Sequence, residues 1–152
     1  MSLPGPHVYS GGFDRTLDEK NRITIPSLWR WPHSDTDSFL AMPHPDGYIT
    51  VLPPVRLAAL LADVSLRKVS DSEAQAVLAK IFSQSLAFTF DKQGRFGLTT
   101  ELRDYAGIKA KGDVRLMGMG DTFNILTPAS RMQLERKTEG EQYGEMMRRI
   151  GL

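Results

Sequence analysis

The sequence repeats one pattern of charged and apolar residues at a separation of 73 positions. The first copy starts at Asp18 and has Arg22 four residues later, and the second starts at Asp91 and has Arg95 at the same point. Apolar residues occupy alternate positions after each arginine. A repeat of this length indicates one structural unit used twice, so the fold must combine two similar units.

Composition limits the class of protein. The 152 residues are enough for one domain or for two small interlocked halves. Hydrophobic residues at 41% and charged residues at 24% are ordinary for a soluble protein. The absence of cysteine excludes disulfides, thiolate metal sites and cysteine nucleophiles. No signal peptide or membrane-spanning stretch is visible, so we expect a cytoplasmic protein with no membrane partner.

The order of turn residues and apolar runs predicts four segments. Residues 9–56 and 85–130 each read as strand, tight polar turn, strand, short helix, hairpin and start of a helix. Residues 57–84 have apolar positions at helical spacing and predict two connecting helices. Residues 131–152 predict a mostly polar final helix. Four short strands cannot close a core alone, so we expect an α+β fold, mainly β with flanking helices, in which two pseudo-symmetric units share one small barrel or sheet.

Several local signals refine these elements. Ser70 with Glu73 matches a capping box at the start of the second connecting helix. Thr99 or Thr100 can cap a short helix that ends near Gly107. Gly140 and Gly144 weaken the final helix.

The repeated aspartates and arginines allow two interpretations. A carboxylate and a guanidinium four residues apart across a tight turn can form an ion pair that only structures the turn. Alternatively, Asp18 and Asp91 structure the turns while the basic groups contact phosphates or base edges, for which arginine is well suited. Lys and Arg also protect edge strands from aggregation. The residues alone leave both interpretations open and favour the structural one, and the net charge of +1 does not by itself indicate a nucleic-acid partner.

The two motifs also resemble a known family. Residues 17–26, LDEKNRITIP, and residues 90–95, FDKQGR, are similar to the paired motifs of the MraZ family, and residues 101–107 and 118–125 add to the resemblance. The family is built from two units of the AbrB/SpoVT swapped-hairpin type. The resemblance implies a DNA-binding transcriptional regulator of division and cell-wall genes. It also implies a ring-shaped homo-oligomer that binds short promoter repeats and is associated with the nucleoid.

The sequence departs from the family pattern at two points. Asn21 precedes the first motif arginine where glycine is usual, and asparagine tolerates the left-handed backbone conformation that such a turn needs. Leu98-Thr99 replaces the usual Ile-Pro after the second motif. Gly97 within the strand pattern suggests a bulge or a close backbone approach. The first unit is therefore expected to be the better DNA reader.

With the family in view, we assign seven basic residues as DNA-binding candidates. The first group is Arg15, Lys20 and Arg22, and the second is Arg30, Lys92, Arg95 and Arg103. We expect no cofactor and no small-molecule substrate. We also expect no metal site, because His7, His33 and His44 are scattered without a histidine or carboxylate partner at ligand spacing. Two alternatives remain: a partner-binding or structural ring protein in which the motifs only stabilise turns, and an enzyme on a related barrel.

Overall fold

The computed structural model describes residues 7–30, 32–34, 36–66 and 72–152, except for the side chains of residues 65 and 66. The strands in this part of the chain are β1 Gly12–Thr16, β2 Arg22–Thr24, β3 Phe39–Pro43, β4 Ile49–Leu52, β5 Leu86–Phe88, β6 Arg95–Gly97, β7 Asp113–Gly118 and β8 Phe123–Leu126. The helices are α1 Ser27–Arg30, α2 Pro54–Leu66, α3 Ser72–Gln84, α4 Thr100–Ala106, α5 Pro128–Lys137 and α6 Glu141–Arg149. The α+β class is confirmed.

Strands from the two halves of the chain interlock in one sheet. Six strands follow the order β1-β7-β8-β4-β3-β5, and β2 pairs with β6 in a separate two-stranded ribbon. Every pair is antiparallel, and only the β3–β4 and β7–β8 pairs join strands of the same half. Strands that correspond in the repeat occupy matching positions from the two ends of this order. The expectation that both halves share one sheet is confirmed, whereas the four segment boundaries remain a prediction.

Two of the inter-half pairs join equivalent strands of the repeat. Ile23 of β2 lies opposite Phe96 of β6. Thr50 of β4 lies opposite Asn124 of β8, and its Oγ1 lies 3.0 Å from Asn124 Oδ1 as the hydrogen-bond donor. Asn124 is buried, so this bond satisfies a polar group that would otherwise be costly inside the sheet. The pseudo-two-fold relation therefore extends from the ribbon to the middle of the large sheet.

The core lies between the sheet, the ribbon and α4, and it is built mainly from aromatic and β-branched side chains. Trp29, Phe39 and Phe123 are among the largest fully buried residues. The caps of α4 are those that the sequence predicts: Thr99 accepts a hydrogen bond from Leu102 N–H, and Gly107 adopts a left-handed conformation. Helix α1 brings Trp29 under β1, where its ring makes an edge contact with Phe13.

The strands on either side of each repeated turn pair with strands of the other half. The structure corrects two local predictions. Gly97 forms no bulge, since it lies in regular register opposite Arg22. The final helix is two helices, α5 and α6, separated at Gly140, whose φ of 72° is incompatible with a continuing helix. Both connecting helices are present, but Ser70 of the proposed capping box lies outside the described residues.

None of the helices in the described ranges is long and apolar enough to cross a membrane.

Candidate functional site

The β2–β6 ribbon has one buried face and one exposed face. Ile23 and Phe96 are opposite each other and turn inward, with Ile23 fully buried. Because successive side chains in a strand point to opposite faces, Arg22, Thr24 and Arg95 lie together on the outer face. The ribbon therefore places one motif arginine from each half on the same exposed surface.

The first turn is organised around the carboxylate of Asp18. Its Oδ1 accepts hydrogen bonds from the backbone N–H groups of Lys20 and Arg22, both at 2.9 Å, and its Oδ2 accepts from Arg22 Nε at 2.7 Å. These bonds, led by the one from the Arg22 backbone, lower the pKa of Asp18 below its ordinary value. Asn21 adopts a φ of 57°, so the prediction that asparagine supports this turn is confirmed.

The second turn repeats this arrangement with different residues at its tip. Asp91 Oδ1 accepts from the backbone N–H groups of Gln93 and Arg95, and its Oδ2 accepts from Arg95 Nε, all at 2.9 Å. Partial burial opposes ionisation of Asp91, but the hydrogen bonds from Arg95 and Gln93 outweigh it and lower its pKa. The predicted turn-structuring contacts of both aspartates are thus present. They use the Nε atom of each arginine.

The two turns are also held to each other. Ile25 N–H donates to Gly94 C=O and Leu98 N–H donates to Asn21 C=O, both at 3.0 Å, at equivalent positions of the repeat. In addition, Asp18 Oδ2 lies 3.7 Å from Arg95 Nη1. The separation of the two arginines is therefore set by backbone bonds and by a shared carboxylate. These contacts hold the two guanidinium groups side by side on the outer face of the ribbon.

Arg15 belongs to the same surface although it lies on β1. Its Nε donates to the backbone oxygen of Thr24 at 3.0 Å, and its Nη1 donates to the backbone oxygen of Asp14 at 3.0 Å. The guanidinium carbon lies 5.5 Å from the centre of the Phe13 ring, within the range of a cation–π contact. The structure therefore brings together Arg15, Arg22 and Arg95.

Lys20, Lys92 and Arg30 lie around the turns. Both lysines are exposed. Arg30 Nε donates to Ile25 C=O at 2.7 Å, and its guanidinium lies against Gly94, where a Cβ would overlap it. Arg30 and Lys92 also line a shallow cleft together with Asp91. These three basic side chains can extend the positively charged surface formed by Arg15, Arg22 and Arg95.

Arg103 is different from the other candidates. Its Nη2 donates to Thr100 Oγ1 at 3.3 Å within α4, and its Nε is buried without a hydrogen-bond partner. Arg103 lies on α4, outside the ribbon and its two turns. Its position in the repeat, equivalent to that of Arg30, did not predict this difference in surroundings.

Two residues of this region escaped the sequence reasoning. Thr24 lies on the outer face between the arginines, and only its alternation with Ile23 could have indicated this. Asn21 has a second role, since its Oδ1 accepts a hydrogen bond from the backbone N–H of Lys111 at 2.8 Å. No sequence signal could have shown that contact, because the partners are 90 positions apart.

The expectation that the histidines lack partners is wrong for His33. Its Nδ1 lies 3.1 Å from Asp37 Oδ2, its Nε2 lies 2.6 Å from the Tyr9 hydroxyl, and its ring centre is 5.4 Å from that of His7. The i, i+4 spacing of His33 and Asp37 was the available signal. Burial, followed by the charge of Asp37, raises the pKa of Tyr9, so its hydroxyl stays protonated. Tyr9, which belongs to this cluster, also forms an isolated antiparallel β-bridge with Gly120.

No group of three or more His, Asp or Glu side chains among the described residues could hold a metal ion.

Comparison with known proteins gives the family, although no family model matches the sequence. The chain is 30% identical over 121 residues to the transcriptional regulator MraZ of Thermomicrobium roseum, which covers 80% of this chain and 82% of the relative. It is 32% identical over 115 residues to MraZ of Spiroplasma kunkelii, covering 76% and 78%. With MraZ of Symbiobacterium thermophilum the identity is 29% over 141 residues, covering 93% and 99%. The chain belongs to the MraZ family.

Proposed function

We propose that this protein is a DNA-binding transcriptional regulator that contacts duplex DNA with the outer face of the β2–β6 ribbon. The observation that carries the proposal is the convergence of Arg15, Arg22 and Arg95 on that face. Relatives that share about 30% of the sequence are named transcriptional regulators. Their names support regulation of transcription, and the ribbon supports a way of contacting DNA.

The type of element and its arginines suit a DNA groove. The major groove admits a two-stranded β-ribbon, and guanidinium groups can bind phosphate or guanine through two parallel hydrogen bonds. The Nε atoms of Arg22 and Arg95 bind the turn aspartates, and Arg95 Nη1 also lies 3.7 Å from Asp18 Oδ2. The Nη atoms of both arginines make no hydrogen bond to any described residue. The aspartates therefore orient the two groups and leave donors for DNA. Lys20, Lys92 and Arg30 would contact flanking phosphates, and Arg103 would contribute least.

One subunit should bind DNA weakly, because it offers few basic side chains and the turn aspartates offset part of their positive charge. Phosphate neutralisation supplies most non-specific affinity. Linking several copies raises the effective concentration of each later contact by orders of magnitude. The proposal therefore includes a ring-shaped homo-oligomer whose adjacent subunits bind adjacent promoter repeats about one helical turn apart. Regulation of division and cell-wall genes and an association with the nucleoid complete it.

The test is binding to DNA from upstream of the protein's own gene, compared with a shuffled sequence, over a series of salt concentrations. We expect selective binding that weakens with salt, with a slope of about 0.9 per phosphate contacted. Arg15→Ala should lower affinity about tenfold, the usual cost of one specific arginine contact. Lys137→Ala on the exposed end of α5 is the matched control, since it removes one charge away from the ribbon.

Two outcomes would contradict the proposal. Equal affinity for native and shuffled DNA at every salt concentration would favour the partner-binding alternative, in which the motifs only stabilise turns. Equal affinity for operators with every repeat spacing would remove the claim that adjacent subunits bind adjacent repeats.

A further inference from the structure

The carboxylates of the two turns do not have the same partners. Asp18 Oδ2 accepts a hydrogen bond from Arg22 Nε at 2.7 Å, and it also lies 3.7 Å from Nη1 of Arg95, which belongs to the other half. Asp91 Oδ2 accepts from Arg95 Nε at 2.9 Å, and no ion pair in the described part of the chain joins Asp91 to Arg22. Arg95 therefore contacts two carboxylates, whereas Arg22 contacts one.

The outer face of the ribbon has the same asymmetry. Arg95 lies opposite Thr24, but Arg22 lies opposite Gly97, the residue that corresponds to Thr24 in the repeat. Gly97 has no side chain, and the Cγ of Arg22 lies 3.7 Å from the position that a Cβ would take there. The Arg95 side chain is the less exposed of the two, at 24% against 31%. The two motif arginines are thus held differently although their turns are alike.

A guanidinium group that two carboxylates contact at different nitrogens is restricted to one plane. Arg95 meets this condition through Nε and Nη1, and Asp18 supplies the second contact. Its length is well below the Debye length of about 8 Å at physiological salt, so salt screens the attraction little. Exposed ion pairs add little to stability. Binding of phosphate or guanine through two parallel hydrogen bonds, however, depends on the plane of the guanidinium, so this contact matters for position.

We infer that Asp18 positions the motif arginines of both halves for DNA, whereas Asp91 positions only Arg95. Asp18 acts through the arginines and is a positioning residue, not a DNA contact. Each subunit then presents Arg22 and Arg95 in one mutual arrangement, which a carboxylate of the first turn sets. The inference rests on the proposed function and identifies a residue on which its sequence selectivity depends.

Charge and position act in opposite directions, so an experiment can separate them. A carboxylate repels phosphates, and removal of the charge of Asp18 or Asp91 should strengthen binding to any DNA by a similar factor. Loss of position instead weakens the contacts that only the correct sequence offers. The selectivity ratio, which is the affinity for DNA from upstream of the protein's own gene divided by that for shuffled DNA, cancels the first effect and reports the second.

Asp18→Asn and Asp91→Asn are a matched pair of variants. Each removes one negative charge, and the remaining amide oxygen can still accept from the backbone N–H groups of its turn. Asp18→Asn should lower the selectivity ratio about tenfold, the cost of one specific arginine contact, and Asp91→Asn should lower it less. Affinity for shuffled DNA should rise by the same factor in both. Circular dichroism checks that each variant folds.

A double-mutant cycle separates positioning from a general role in the turn. In an Arg95→Ala background, Asp18→Asn should cost less selectivity than in the wild type, because one of the two arginines that Asp18 positions is gone. In an Arg22→Ala background, Asp91→Asn should keep its full effect, because Asp91 acts through Arg95.

Asp18→Ser and Asp91→Ser are a second pair, used if Asp18→Asn does not fold, since serine hydroxyls also bind the backbone in turns. The inference is overturned if the two Asn variants lose equal selectivity, if Asp18→Asn costs as much with Arg95→Ala as without it, or if every Asp18 variant unfolds. Any of these results with a selective wild type contradicts the inference alone. A wild type without selectivity contradicts the proposed function as well.

Discussion

The two repeated turns share one hydrogen-bond skeleton but have different surroundings. Each aspartate binds two backbone N–H groups and one arginine Nε at nearly the same distances. Beside the first turn, β1 carries Arg15, which reaches the backbone of Thr24. The equivalent residue of β5 is Phe88, whose ring stacks on Phe96 with centres 3.8 Å apart.

The comparison shows that the scaffold is duplicated and the surface is not. The turn chemistry is the same in both halves because both must hold a strand of one ribbon. The residue next to the ribbon is free to differ, and it is a cation in the first half and part of the aromatic core in the second. This is the physical reason for proposing the first half as the principal DNA contact.

The largest expected effect comes from the part that the halves share. Ile23→Ala and Phe96→Ala each remove an inward side chain of the ribbon and leave a cavity, which should lower the free energy of unfolding by about 3 to 4 kcal/mol. Urea denaturation of both variants measures the losses. Substitutions of this kind typically differ from one another by about 2 kcal/mol. A larger difference between the two losses would show that the two strands do not contribute equally.

The next largest effects should differ between the two halves. Phe88→Ala should lower the free energy of unfolding by about 2 kcal/mol, because Phe88 is only partly buried, and should leave DNA affinity nearly unchanged. Arg15→Ala should do the reverse, changing the melting temperature by no more than a degree or two on the scale of a surface substitution of about 0.5 kcal/mol. Thermal melts and DNA titrations of both proteins check this. A large melting shift for Arg15→Ala would make Arg15 a structural residue.

Exchange of the turn residues should give a smaller, unequal effect. Gly94→Asn introduces a Cβ that overlaps the Arg30 guanidinium, at a φ of 74° that asparagine only tolerates, so a loss of about 1 to 2 kcal/mol is expected. Asn21→Gly removes only the hydrogen bond to Lys111, at a cost of about 1 kcal/mol. Chemical denaturation of the pair ranks the two losses. A greater loss for Asn21→Gly would contradict this order.

The smallest expected effect is on the pH dependence of stability. The pKa values of Asp18 and Asp91 are lowered in the folded protein, so both carboxylates stabilise it above about pH 4, the unfolded value, and this stabilisation disappears as the pH falls further. Asp18→Asn and Asp91→Asn should therefore destabilise the protein more at pH 6 than at pH 3. Melting temperatures across this interval test the sign. A constant difference would exclude the linkage.

Much of the fold could be predicted because the signals are local. The hairpins, the caps of α4 and the two turns depend on residues within a few positions of one another, so the sequence is enough to predict them. The incorrect predictions concern single residues: Gly97 forms no bulge, Gly140 interrupts the final helix, and His33 has partners. The residues beside each turn do not name the partners of the two strands, and the structure pairs each of these strands with a strand of the other half. His33 was considered isolated although Asp37 lies four residues away, and its other partners, Tyr9 and His7, are distant in the sequence.

The sequence by itself determined the duplication, the α+β class, the positions of the turns and the resemblance to the MraZ family. These features follow from local backbone preferences and from residues that recur at a constant separation. Only the tertiary structure decided which basic side chains share a surface, because that depends on the register of β2 with β6 and on the position of β1 beside them. That pairing places Arg15 and Phe88 at equivalent ends of the sheet, where the arginine reaches the backbone of Thr24 and the phenylalanine packs against the core.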